Sequence, residues 1–547
     1  MLRPILICPV FLLAALWTSA GHAQQSQEWT RCVNRGDVFS SEVAIAACTK
    51  IIQSGKETRR NNAIAYHNRG YAHYEARNYQ RAVADYTRAV ELDPQYSSAF
   101  NNRGRAYYRM EDYDRALADY NRTIELDPRD EHAYNNRANI YAFRKEFDRA
   151  LADFNKQIEI NPRHAHAYNG RGLTWYDKKE YDRAIADYSK QIEIDPRHSD
   201  AYNNRGNAYY EKKDYSRAIV DYSKQIELDP RHNHAYRNRG LAYYENKDYD
   251  RAIADYTRHI EIEPRHPHVY NNRGRAYYAK KEYDRAIDDY TRQIEIDPRH
   301  TSAYYNRGNA YYSKKDYDQA IADYNVAVEI NPSNDEAFRF RGLAYRNKGE
   351  YDLAIADFTR AIEIDPKDVN YYKARGDAYR DKRDFDRAIR DYARGVELDP
   401  KNITVLKNLG YARFYKGDFK ESSRDLLRAI ALSDDAYPMI FRYIAAARAG
   451  ETAAVAELDA NASRLKTKEW PYAAIELLVG KRSPEATLPA AATPDELCEA
   501  HFYIGEWHLL RGDKSAAARM LKIAVDTCPK EFIEYTSAAE ELKRISP

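Results

Sequence analysis

The chain has 547 residues, of which 31% are charged, yet its formal net charge is only +2. This near-neutral balance offers no electrostatic argument for binding nucleic acid or an anionic membrane, so neither is expected as a partner. Tyrosine is abundant, with 50 residues, and this number predicts a regular packing role for the aromatic rings.

Residues 1–23 have the pattern of a secretory signal peptide. Arg3 supplies a positive charge, residues 5–17 form an apolar run, and small residues follow before position 24. The run is too short to span a bilayer. Cys8 raises the alternative of lipid attachment, but it lies inside the apolar run rather than after a small residue. We expect export to the periplasm or beyond the cell, without membrane insertion after cleavage.

Residues 24–62 are predicted to be an incomplete helical pair that forms an N-terminal cap. Residues 41–52 carry the apolar spacing of its second helix.

Residues 63–402 consist of ten consecutive 34-residue units. With Ala63 as position 1, position 4 is aromatic, position 20 is Ala and position 32 is Pro in every unit, while position 24 is Tyr or Phe. Position 8 is Gly in nine of the ten units, with Ala138 as the exception. This pattern resembles the tetratricopeptide repeat (TPR) family.

The resemblance implies an all-α fold, a right-handed TPR superhelical solenoid with capping helices at both ends. The small residue at position 8 allows two antiparallel helices to approach closely, and the aromatic stripes fill the space between them. Because no unit buries its apolar stripe alone, neighbouring units must stack into a continuous core.

The repeat pattern weakens after residue 402. Residues 403–436 are predicted to be a diverged eleventh unit, residues 437–493 an irregular helical region, and residues 494–547 a C-terminal unit with a capping helix. The segments 502–505, 512–513, 521–525 and 532–534 are similar to the C-terminal unit of NlpI-type TPR lipoproteins. That resemblance implies an envelope location, although the lipid-attachment cysteine of that family is missing here.

Four cysteines remain after the signal segment: Cys32, Cys48, Cys498 and Cys528. The first two flank a turn between short helical stretches, and the last two are nearly equidistant from the turn at Gly512. Export favours disulfides, so we predict one bridge at each end of the array, with free buried thiols as the alternative. The spacing does not match a zinc site.

Asparagine recurs at position 6 of the units, a position that faces the concave wall in TPR proteins. The series resembles the asparagine ladder of O-GlcNAc transferases, which grips the backbone of an extended peptide. An amide both donates and accepts hydrogen bonds, so it pairs with a peptide backbone whatever the side chains. The alternative is a merely polar exposed face. The predicted ladder residues are Asn68, Asn102, Asn136, Asn204, Asn238, Asn272 and Asn306 at position 6, with Asn101, Asn135, Asn203 and Asn271 at position 5.

Tyrosines at position 12, including Tyr210, Tyr244 and Tyr278, form a stripe beside the ladder. They offer an apolar body with a polar tip, which suits contact with a peptide or a sugar face. Packing against neighbouring helices is the alternative, and the sequence does not separate the two.

Histidine occupies position 34 in five consecutive units, from His164 to His300. Metal binding is disfavoured, because equivalent histidines in successive units would lie too far apart to share one ion and no carboxylate accompanies them at fixed spacing. Packing of the inter-unit loops or a pH-sensitive edge are the other interpretations. We expect no metal and no cofactor.

Position 7 is Arg and position 23 is Asp in all ten units, which predicts an Arg–Asp pair within each helical hairpin. The sequence carries no nucleophile elbow, P-loop, zinc-protease motif or dinucleotide fingerprint, so no enzymatic activity is expected. We predict a scaffold of the bacterial envelope that binds a protein or peptide partner. A glycan-binding or structural module is the alternative, and no residue pattern indicates the oligomeric state.

Overall fold

The computed structural model describes residues 27–34, 36 and 38–546. The predicted signal segment, residues 1–23, lies outside the described residues. The chain divides into two compact units, which we call the N-terminal body (residues up to Pro264) and the C-terminal body (from Arg265). All regular secondary structure in the described ranges is helical.

The N-terminal body begins with helical residues 27–33 and the helix Ser41–Ser54. Six predicted units come next, each containing a first and a second helix. The pairs are Arg59–Glu75 with Tyr79–Leu92, Ser97–Arg109 with Tyr113–Leu126, Glu131–Phe143 with Phe147–Ile160, Ala165–Asp177 with Tyr181–Ile194, Ser199–Glu211 with Tyr215–Leu228, and Asn233–Glu245 with Tyr249–Ile262.

The C-terminal body contains the remaining units and a divergent end. Its pairs are Pro267–Ala279 with Tyr283–Ile296, Thr301–Ser313 with Tyr317–Ile330, Asp335–Asn347 with Tyr351–Ile364, Val369–Asp381 with Phe385–Leu398, and Ile403–Lys416 with Phe419–Ile430. Then come Ala436–Arg448, Ala454–Ala462, Tyr472–Leu478, Pro484–Thr487, the 3₁₀ turn Leu488–Ala490, Pro494–Leu510, Lys514–Thr527 and Ile533–Ile545. This succession of helix pairs confirms the predicted fold class, an all-α repeat solenoid.

The close approach of the two helices depends on the glycine at position 8. A Cβ atom added at Gly104 would lie 2.7 Å from the ring of Tyr120, which is buried at position 24 of the same unit. The same ring-over-glycine contact recurs at Gly206 with Tyr222, at 2.8 Å. The small residue therefore provides the space that the aromatic ring fills.

The last helix, Ile533–Ile545, closes the C-terminal body. The Arg544 guanidinium donates to the backbone carbonyl oxygens of Phe414, at 3.1 Å, and of Tyr415, both near the end of the helix Ile403–Lys416. The Phe414 carbonyl also accepts from the backbone N–H of Gly417 at 2.9 Å, and the added cation complements the negative end of the helix dipole. The last helix therefore covers the eleventh unit.

Both predicted cysteine pairs lie at disulfide distance. The Cα atoms of Cys32 and Cys48 are 4.7 Å apart, and those of Cys498 and Cys528 are 5.1 Å apart. Each pair joins helices near one end of the array, as predicted.

Among the described helices, none combines the length with the apolar character that crossing a bilayer requires.

Candidate peptide-binding surface

The first helices of the units carry the predicted site residues, and we call their polar side the first-helix surface, defined by positions 5, 6, 9 and 12. The ladder asparagines on it are half-buried, except Asn101, which is 8% exposed. A half-buried amide keeps part of its polar surface toward solvent, so the surface is polar and partly accessible.

The asparagines pair with one another across units. The Nδ2 atom at position 6 donates to the Oδ1 atom at position 5 of the preceding unit, an arrangement that was not predicted from the sequence. The distances are 3.2 Å for Asn136 to Asn101, 3.0 Å for Asn204 to Asn169, 3.1 Å for Asn238 to Asn203 and 2.8 Å for Asn306 to Asn271. The recurrence of Asn at both positions was the sequence signal for this pairing.

One ladder bond uses only part of each amide. A primary amide has two N–H donors and an acceptor oxygen with two lone pairs. The bond from Asn238 to Asn203 takes one N–H from the first residue and one lone pair from the second. Longer bonds use part of the rest, from Asn203 Nδ2 to Asn204 Oδ1 at 3.4 Å and from Arg237 Nη2 to Asn238 Oδ1 at 3.5 Å. The geometry therefore fixes the orientation of both amides and leaves each with one N–H and one lone pair to spare.

The N-terminal end of the ladder contains a histidine. Asn102 Nδ2 lies 2.9 Å from His67 Nε2, and His67 Nδ1 lies 3.3 Å from Asn68 Oδ1. Burial lowers the pKa of His67 to about 4, so the ring is neutral near pH 7 and Asn102 donates to it. Asn135 and Asn272 are half-buried on the same surface.

Gly170 interrupts the ladder for a packing reason. Ala138 replaces the usual glycine of its unit, and Phe154 takes the place of the tyrosine that would cover that glycine. The Phe154 ring packs in one buried cluster with Ala138 and also lies over Gly170 of the next unit, where an added Cβ would be 2.5 Å from it. An asparagine side chain at position 170 would clash with this ring, so the ladder has a gap here.

Phe340 interrupts the ladder in the C-terminal body with an aromatic cluster. Its ring centroid lies 5.8 Å from that of Tyr305 and 6.1 Å from that of Tyr312. The Arg339 guanidinium lies over the Phe340 ring at 4.2 Å. Here the first-helix surface offers rings and a cation instead of amides.

The predicted tyrosine stripe packs against second helices. The rings of Tyr210 and Tyr244 each meet, edge to face, the tyrosine five residues later in the same unit, with centroids 5.5 Å apart. Tyr278 makes the same contact at 5.4 Å, and its hydroxyl lies 2.9 Å from Ser313 Oγ. The structure thus gives these rings a packing role and leaves them half-exposed.

The predicted Arg–Asp pair is present in all ten units. In the fifth unit, Arg205 Nε and Nη2 donate to the two carboxylate oxygens of Asp221 at 2.8 and 2.7 Å, and Nη1 donates to Ser189 of the preceding unit at 3.0 Å. Hydrogen bonds to the aspartate raise the pKa of Arg205, so the guanidinium remains charged. Arg205 thereby links the fifth unit to the fourth through hydrogen bonds to a second helix of each.

The repeat pattern does not explain the glutamines at position 27, and the structure places them in the core. Gln157, Gln191, Gln225 and Gln293 are all fully buried. Gln225 Nε2 lies 3.4 Å from His232 Nδ1, so this buried amide faces the position-34 histidine of its own unit.

Sequence profiles of the tetratricopeptide repeat match the chain at residues 63–96, 97–130, 131–164, 199–232, 234–266, 301–334 and 336–368, and a TPR repeat profile matches 172–213, 274–314 and 376–417. Similar solved structures include YrrB, described as a TPR protein with an unusual peptide-binding site, at 24% identity over 34% of this chain and 95% of that one, with a TM-score of 0.31.

MamA is 29% identical over 30% of this chain and 95% of that one, with a TM-score of 0.29. The PilF protein of Pseudomonas aeruginosa is 19% identical over 38% and 94%, with a TM-score of 0.33. TPR arrays are generally non-enzymatic scaffolds for protein interactions. The repeat profiles, matching along most of residues 63–417, show that this chain belongs to the tetratricopeptide repeat family.

Proposed function

We propose that this protein is a scaffold that captures extended segments of partner proteins on its first-helix surface. The observation that carries the proposal is the asparagine ladder, in which amides of successive units orient each other, as Asn204 with Asn169 and Asn238 with Asn203. An oriented amide loses less conformational entropy on binding than a free one, so the ladder is preorganised for a ligand.

Backbone capture is the mechanism that fits this surface. The amides of Asn204 and Asn238 are one unit apart and carry the same donors and acceptors. A row of identical amides matches the repeating backbone N–H and C=O groups of an extended peptide. It does not match one particular sequence of peptide side chains.

A glycan-binding module remains the rival function. Sugars stack on the faces of aromatic rings, and Tyr210 and Tyr244 would have to supply those faces. Both rings are engaged by a second-helix tyrosine at 5.5 Å, which favours the peptide over the sugar.

The test uses a display library of unstructured twelve-residue peptides and the double variant Asn204→Ala/Asn238→Ala. Binding of selected, unrelated peptides should weaken by a similar factor, about 5- to 100-fold, because backbone hydrogen bonds of about 0.5–1.5 kcal/mol each are lost. N-methylation of the peptide backbone should have the same effect.

The matched control is Asn155→Ser, on a second helix. Asn155 accepts a hydrogen bond from Arg171 at 2.6 Å, and the equivalent position in the next two units is Ser189 and Ser223, so the bond is preserved. Unchanged peptide affinity in the ladder variant, or its loss in the control, would contradict the proposal. Retained peptide binding together with lost oligosaccharide binding would favour the rival.

We infer further that the protein works in the periplasm or outside the cell. The two cysteine pairs at disulfide distance support this location, because such bridges persist in oxidising compartments. Fractionation of the native host with mass spectrometry of the mature N-terminus tests it: cleavage after residue 23 is expected, and an intact cytoplasmic chain would refute export.

A further inference from the structure

The sixth unit departs from all the others at three positions that meet in space. Position 1 is Asn only at Asn233, position 27 is His only at His259, and position 31 is Glu only at Glu263, where the other nine units have Asp or Asn. In the fifth unit, positions 27 and 31 are Gln225 and Asp229.

These three residues form one hydrogen-bonded group in the N-terminal body. His259 Nε2 lies 3.7 Å from Glu263 Oε2. His259 Nδ1 lies 2.8 Å from the backbone carbonyl oxygen of Asn233, whose side-chain Nδ2 donates to Glu263 Oε2 at 2.5 Å. One residue thus orients both the imidazole and the carboxylate.

The protonation pattern of His259 suits a metal ligand. A carbonyl oxygen only accepts, so in the neutral ring Nδ1 carries the proton and Nε2 carries the lone pair that faces Glu263. Metal-binding histidines characteristically donate their second ring N–H to a carbonyl or carboxylate in this way. The His259 side chain is fully buried, and its Nδ1 is held by the Asn233 carbonyl oxygen.

The spacing also suits a metal. Two ligands of a tetrahedral zinc ion, at about 2.1 Å each, lie about 3.4 Å apart. His259 Nε2 and Glu263 Oε2 are 3.7 Å apart, so they need to move only slightly closer to bind one ion. The Glu263 side chain is 45% exposed, so an ion reaches the pair from solvent. The ring centroid of the exposed His234 lies 6.2 Å from that of His259.

We propose that His259 and Glu263, with His234 as a further ligand, bind a divalent first-row transition-metal ion such as zinc or nickel. Glu263 supplies the carboxylate that the regular histidine pattern lacks. The ion would fasten the end of the second helix of the sixth unit to the start of its first helix. Imidazole nitrogen favours these metals over magnesium or calcium.

The test is calorimetric titration of the full chain, oxidised and without a histidine tag, after removal of metals by chelation. Zinc and nickel should bind the parent protein, and magnesium should not. The variants His259→Gln and Glu263→Asp restore the residues of the fifth unit, so they fold, and each should weaken zinc binding at this site at least tenfold. Zinc should raise the Tm of the parent more than that of the double variant.

His132→Ala is the matched control for His234→Ala, since both histidines are exposed at position 2 of their units. Two residues before His132 stands Asp130, whereas two residues before His234 stands His232. Zinc affinity should fall for His234→Ala and stay unchanged for His132→Ala. The visible spectrum of bound cobalt should change in His259→Gln. Equal zinc affinity and stoichiometry in the parent and in the double variant would overturn the proposal.

Discussion

At the scale of single residues, position 9 decides whether the buried tyrosine hydroxyls of the fourth and fifth units have a hydrogen-bond partner. Tyr222 donates to Asn207 Oδ1 at 2.8 Å in the fifth unit. In the fourth unit position 9 is Leu173, which has no acceptor, and within the described part of the chain the buried hydroxyl of Tyr188 has no hydrogen-bond partner. A buried hydroxyl without a partner carries an uncompensated desolvation cost.

Removing the two hydroxyls should therefore have different effects. Tyr222→Phe should lower the free energy of unfolding by about 0.5–1.5 kcal/mol, because a hydrogen bond is lost. Tyr188→Phe should leave stability unchanged or increase it, because an unpaired polar group is removed. Urea unfolding of the two variants measures the difference. A larger loss for Tyr188→Phe than for Tyr222→Phe would show that the position-9 explanation is wrong.

At the scale of helices, the contact of Phe154 with the next unit shows how one substitution propagates. Ala138 occupies the space that a glycine leaves elsewhere, and the Phe154 ring that packs with it also lies over Gly170. The ladder loses one bond as a result. An asparagine at position 170 would be at position 6, from which it could donate a hydrogen bond to Asn135 at position 5 of the preceding unit.

Gly170→Asn should consequently destabilise the protein by about 1–3 kcal/mol, the usual cost of overpacking. The same change should cost much less in an Ala138→Gly background, because the Phe154 ring then has the position that tyrosines take in other units. The coupling is measured by a double-mutant cycle in urea. Purely additive effects of the two substitutions would contradict this account of the ladder gap.

At the scale of the whole molecule, the C-terminal body contains buried glutamates with raised pKa values, among them Glu506 and Glu534. Burial, followed by repulsion from Glu541, raises the pKa of Glu506 to about 8. Burial, followed by repulsion from Glu499, raises that of Glu534 to about 8, and Tyr503 donates a hydrogen bond to it at 2.6 Å. The folded chain therefore holds these protons where an unfolded glutamate, with a pKa near 4.5, has lost them.

This difference fixes the sign of a pH effect. A raised pKa means that the native state binds more protons, so its contribution to stability is present below about pH 4.5 and is lost as the pH rises towards 8. Glu534→Gln, which keeps an acceptor for Tyr503, should flatten the decline of C-terminal stability between pH 5 and 8. Hydrogen exchange of the helix Ile533–Ile545 in parent and variant measures it. An identical pH slope in the two proteins would contradict the assignment.

The sequence predicted the helix pairs and the Arg–Asp pairs because both depend on contacts within one 34-residue unit, where spacing alone determines which residues meet. It did not predict the bonds between asparagines, or the reason for Gly170, because these depend on how one unit rotates against the next. Sequence reasoning also missed the group formed by Asn233, His259 and Glu263. It relied on the residues that the units share, and these three substitutions occur in one unit only.

The central claim is that a guest chain lies on the first-helix surface, and photo-crosslinking tests it most directly. Leu173, on a first helix beside the ladder, and Val220, on a second helix, are both exposed aliphatic residues, at 42% and 67%. With benzoylphenylalanine at each position in turn and a selected peptide as probe, we predict crosslinks from position 173 and none from position 220. Crosslinks from position 220 with none from position 173 would contradict the account.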